Sequence, residues 1–128
     1  MNRPLAHSVP LLRVGEVLLV TLPAELTDDL AAELQRELSE VVARGGVRGV
    51  VIDLSAVWIV DSFLGRVLAE TAAGIRLLAA DTIVAGLRPA IAITLVELGM
   101  TLHGLRTALS VEAAFARMGV AVAAGEKP

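Results

Sequence analysis

The stretch "VRGVVIDLSAVWIVDSFLGRVLAE", Val47 to Glu70, decides the fold. Its first half sets Val50, Val51 and Ile52 in an unbroken apolar row, as a strand buried on both faces requires. Its second half changes period. From Leu64 the apolar side recurs at Val67, Leu68, Thr71, Ile75 and Leu78, the spacing of one helix face. Between the two halves, Asp61 can cap a helix by accepting bonds from free backbone N–H groups, and Ser62 falls in the first turn. A buried strand running into a capped helix is the building unit of an α/β sheet.

The same alternation extends in both directions. Upstream, "SVPLLRVGEVLLVTL" reads as two short strands turning at Gly15-Glu16; Val17 to Leu22 is nearly all apolar and therefore central, while Pro10 assigns the first strand to an edge or places it at a strand start. "TDDLAAELQRELSEVVARGG" follows with Thr27 as N-cap and Asp28 and Asp29 at the positive end of the helix dipole. Leu30, Leu34, Leu38, Val41 and Val42 form its inner face, and Arg44, Gly45 and Gly46 stop it. Downstream, Asp81 to Leu87 reads as a strand, and "RPAIAITLVELG" as a helix opening on Pro89 and closing on Gly99. "HGLRTAL" holds a short last strand. A closing helix is capped by Ser110, with Val111, Ala114, Phe115 and Met118 inward. The order β-β-α-β-α-β-α-β-α predicts an α/β fold: a mixed, mostly parallel sheet with about four helices.

Composition narrows the function. The 128 residues are 55% hydrophobic and suffice for one domain. Mean hydropathy is +0.73, yet charged residues cut every apolar run short of the roughly 18 residues that span a bilayer. No secretory leader is read at the N-terminus. Without cysteine there are no disulfides, thiolate metal sites or cysteine nucleophiles. A net charge of −3 argues against nucleic acid, and two phenylalanines with one tryptophan make a poor stacking platform. A small domain this apolar is expected to cover part of its surface with other chains.

Catalytic patterns are missing. His7 and His103 lie far apart and in no metal-ligand spacing. No G-x-S-x-G elbow, P-loop or dinucleotide fingerprint occurs. Asp53 ends a strand, where α/β folds place functional groups, but a lone carboxylate is better read as a cap for the following loop. Asp61-Ser62 by itself is ordinary helix-start chemistry. Trp58 and Phe63 change its weight: two of the three large aromatics flank one serine, Trp58 as an inward plug or an exposed anchor, Phe63 off the apolar stripe and facing outward. A partner-binding surface of Trp58, Asp61, Phe63 and Arg66 around Ser62 is expected. In "PAIAITLVELG", Ile91, Leu95 and Leu98 can point inward while Ile93 and Val96 fall on other faces, so this helix is either buried or a contact between subunits.

The segments "GVVIDL", "IVDSFLGRVLAE" and "TIVAGLRPAIAITLVELGMTLHGLRTALSVEAAF" together resemble the STAS-domain family, and within it stressosome scaffolds of the RsbS type. The similarity runs from about Val9 to Met118. It implies a single STAS domain over 9–118, with tails at 1–8 and 119–128. It implies a cytoplasmic protein that is not an enzyme and uses no cofactor or metal. Such scaffolds self-associate into a large complex with paralogous STAS sensor proteins and hold a serine/threonine switch kinase. The kinase phosphorylates the scaffold at the serine matching Ser62 and then leaves, in a partner-switching cascade. Thr94 matches a second modified position in the sensor paralogues. Trp58 stands where the resemblance leads one to expect a more polar loop residue. A free anti-sigma factor antagonist and a ligand-binding STAS sensor module would carry the same fold.

Overall fold

Residues 9–59, 61–97 and 105–120 are described by a computed structural model. The chain opens with a hairpin of β1 (Leu11–Val14) and β2 (Val17–Thr21), paired antiparallel from Leu11 opposite Val20 to Val14 opposite Val17. Its turn needs Gly15, whose φ of +62° is a conformation that side chains with a Cβ resist. Three parallel strands follow: β3 (Gly49–Asp53), β4 (Asp81–Ala85) and β5 (Arg106–Ala108). The sheet order is β1-β2-β3-β4-β5. β1 is therefore an edge and β2 is internal, as the proline and the apolar run predict.

Helices α1 (Asp28–Ala43) and α2 (Ser62–Leu77) cover one face of the sheet. Leu34, Leu38 and Val42 of α1 and Leu64, Leu68 and Ile75 of α2 pack on Leu18, Val20, Val50, Ile52 and Val84. α3 (Pro89–Glu97) connects β4 to β5 and buries Ile91 and Leu95. α4 (Val111–Arg117) closes the other face, where Ala114, Phe115 and the following Met118 meet Val17, Val51, Ile83 and Ala85. The alternation of facing along each strand is what divides Val50 and Ile52 from Val51 between the two cores. The predicted α/β architecture, mixed and mostly parallel with four helices, is the one observed.

Local differences have local causes. β4 stops at Ala85 rather than Leu87, because Gly86 turns the chain at φ +73°. Leu78, predicted to lie on the inner stripe, is exposed as the C-cap of α2; the helix unwinds there and takes the residue off the stripe. Caps form where expected: Thr27 accepts from Leu30 N–H, and Ser110 from Ala113 N–H. Ile93 and Val96 of α3 are exposed, so among the described residues that helix is covered on one side only. The predicted end of that helix at Gly99, Leu98, and both histidines lie outside the described residues.

Because β2, β3 and β4 run parallel, the loops that leave their carboxyl ends gather at one end of the sheet. Among the described residues these loops carry 22–27, 54–59 with 61, and 86–88.

Candidate functional site

The connection from β3 to α2 is held at both ends and open in the middle. Asp53 accepts the Ser55 N–H at 2.9 Å, the capping role predicted for it. Leu54 N–H reaches the Ala85 carbonyl at 2.9 Å, Val57 N–H returns to the Leu54 carbonyl at 3.0 Å, and Val57 is buried. The next two side chains cannot follow Val57 inward. Trp58 is 68% and Ile59 78% exposed, which decides the tryptophan's alternatives in favour of a surface position.

At the far end Asp61 is extended, with φ −136° and ψ −179°. Its Oδ1 accepts the Leu64 N–H at 3.0 Å and its carbonyl accepts the Gly65 N–H at 3.3 Å. Ser62 is the first residue of α2 and is exposed. Its hydroxyl therefore stands at the positive end of a four-turn helix, reachable from solvent. Arg66, one turn further along, is also exposed and has no ion pair among the described residues. Residues one turn apart share a face, so Ser62 and Arg66 are neighbours on the helix surface.

Phe63 departs from expectation. It is half-buried, not outward-facing, and lines a pocket of about 140 Å³ with Ala24, Leu26, Val57, Ile59 and Leu64. The loop after β2 runs beside the first turn of α2 and supplies the apolar cover that the helix pattern alone did not reveal. Glu25 and Asp61 also line this pocket. Of the predicted surface, Trp58, Asp61, Ser62 and Arg66 are exposed, and Phe63 forms part of the pocket wall.

Thr94 sits apart on α3, half-buried, its hydroxyl donating to the Ala90 carbonyl of its own helix at 2.9 Å. The contributor that the sequence did not announce is Arg88. Its Nη2 donates to the Ser55 carbonyl at 2.7 Å, and its guanidinium lies 3.8 Å from the centroid of the Trp58 ring. Nothing in "GLRPA" marks that arginine as a partner of a tryptophan on another loop. Among the described residues no group of three or more acidic or histidine side chains could hold a metal ion, and no helix is long and apolar enough to cross a membrane.

Comparison with known proteins identifies the family of the fold. The STAS domain matches residues 8–114 of the chain. The RsbT co-antagonist protein RsbRA of Bacillus subtilis strain 168 is 30% identical over 101 residues, covering 78% of this chain. The chain spans little more than a third of that relative, 37% of its length. Among solved structures, a serine-to-glutamate variant of Moorella thermoacetica RsbS superimposes with a TM-score of 0.77 at 33% identity, covering 87% of this chain and 94% of that one. A chain from the molecular architecture of the stressosome, described as a signal integration and transduction hub, gives 0.76 at 34% identity, covering 86% and 96%.

Proposed function

This chain belongs to the STAS-domain family, and on that premise we propose that it is a non-enzymatic, cytoplasmic stressosome scaffold that holds a serine/threonine switch kinase and lets it go when Ser62 is phosphorylated. The observation that carries the reading is the exposure of Ser62 at the start of α2, beside an exposed Trp58 and Ile59. A switch needs a hydroxyl that a kinase can reach and that a bound partner would cover. The similarity to RsbS and to a stressosome chain supports the scaffold role and its assembly with sensor paralogues. The exposed Ile93 and Val96 on α3 supply an apolar face suited to contacts within such an assembly.

The mechanism follows from charge. A phosphate on Ser62 adds about −1.5 to −2 charges near neutral pH. In the free domain that charge meets the N–H groups of a helix N-terminus, worth about 0.3–2 kcal/mol in its favour, so the fold accepts it. Under a docked partner the same group is stripped of water, and an uncompensated buried charge costs several kcal/mol. A loss of about 2.8 kcal/mol weakens binding a hundredfold. Phosphorylation acts on affinity and leaves the body of the domain unchanged.

Phosphorylation by the cognate kinase with ATP, followed by peptide mass mapping, tests the site directly. Ser62 is expected to carry the phosphate, and Ser62→Ala is expected to retain the kinase under conditions that release it from the unsubstituted protein. Modification elsewhere with Ser62 untouched would overturn the assignment.

A further inference from the structure

The Arg88–Trp58 pair has no part in the switch chemistry above, yet it joins the segment after β4 to the loop after β3 at the surface. Arg88 precedes α3, and its carbonyl accepts the Ala92 N–H at 2.9 Å, a bond of the first helical turn. Its side chain is half-buried and reaches the neighbouring loop twice, at the Ser55 carbonyl and over the Trp58 ring. Beneath it the two loops are already in close approach. A Cβ on Gly86 would lie 3.0 Å from Asp53 Oδ1 and 3.2 Å from the Ser55 nitrogen. The guanidinium thus closes a seam between the first turn of α3 and the loop that ends at Ser62.

We propose that Arg88 is a positioning residue for the docking face: it holds the Trp58 ring in one orientation, with one face covered by the guanidinium and the other offered to the partner. This rests on the docking face proposed above and adds the residue that prepares it. An indole 68% exposed and without such a restraint samples several rotamers. Freezing them on binding costs about two- to tenfold in affinity. A cation over an exposed ring contributes about two- to fivefold towards the held state. Arginine suits this task where lysine does not, since a planar guanidinium can stack on the ring while an edge N–H donates to a carbonyl.

Trp58 is the chain's one tryptophan, so its fluorescence reports the clamp without interference. Arg88→Ala is expected to lower the fluorescence anisotropy of Trp58 and raise its quenching by acrylamide, with the melting temperature and far-ultraviolet circular dichroism little changed. Capture of the kinase should weaken about two- to tenfold. Arg88→Lys, which keeps the charge and disturbs packing less, should fall between the two proteins in both readouts. Unchanged anisotropy and quenching in Arg88→Ala would overturn the clamp. A loosened ring with undiminished capture would overturn the positioning role, and Trp58→Ala then tells where the fault lies. If Trp58→Ala weakens capture, the docking face stands and Arg88 is incidental to it; if it does not, the docking face itself is misplaced.

Discussion

Ser62→Glu puts a lasting negative charge on the first residue of α2, and its two consequences can be estimated separately. In the free domain the new carboxylate sits against the positive end of the helix, a gain of about 0.3–1 kcal/mol for an exposed group. Arg66, exposed and one turn along, adds about 0.3–0.5 kcal/mol through an i,i+4 pair. Against this stands Asp61, next in sequence and exposed. Two unit charges a few ångströms apart in water repel by about 1 kcal/mol, less in physiological salt. The terms nearly cancel. A melting shift within about 4 °C either way is expected for a domain of this size. The partner feels no such cancellation, since covering the site removes the water and leaves the carboxylate beside Asp61. A loss of capture of about a hundredfold corresponds to only about 2.8 kcal/mol. Calorimetric melting of the domain and titration with the kinase at one fixed salt concentration read both quantities. A fall in melting temperature beyond about 8 °C would show that the serine hydroxyl supports the fold. Undiminished capture would refute ejection by charge.

Three further substitutions test the physical reading of the structure. Gly86→Ala should cost about 1–3 kcal/mol in denaturant unfolding, because a Cβ at φ +73° would also press on Asp53 and Ser55; a neutral result would mean the seam between the loops is loose. Ala79 closes α2 at φ +68°, with its N–H on the Arg76 carbonyl and Ala80 N–H on that of Ile75, a position glycine fills without strain. Ala79→Gly is therefore expected to raise stability by about 0.5–1 kcal/mol in the same assay, and a loss would show that the left-handed turn is not populated in solution. Thr82 is 6% exposed and its hydroxyl finds no partner among the described residues, so Thr82→Val should raise the melting temperature by removing a group whose unmet bond costs about 1–3 kcal/mol. A lower melting temperature would reveal a hidden partner for that oxygen.

Much of this molecule is legible along the chain because its signals are periodic or adjacent. The row Val50-Val51-Ile52 reads as a buried strand without any knowledge of what buries it, and Asp61 followed by the Leu64, Leu68 and Ile75 stripe reads as a capped helix. Asp53 as a loop cap was equally local, its acceptor lying two residues from the donor. Phe63 was misread for the opposite reason. Its position off the helical stripe was correct, but the pocket wall it shares includes Ala24 and Leu26, distant in sequence and close only in the fold.

Sequence alone thus determined the strand and helix order and the serine at a helix start, since each depends on neighbours within a turn or two, and the mixed sheet followed from that order. Only the tertiary structure decided that Trp58 faces water under the guanidinium of Arg88, and that Phe63 is half-buried in the wall of a pocket. Those outcomes depend on which loops the parallel strands bring to the same end of the sheet, and contact across such distances leaves no periodic trace in either partner.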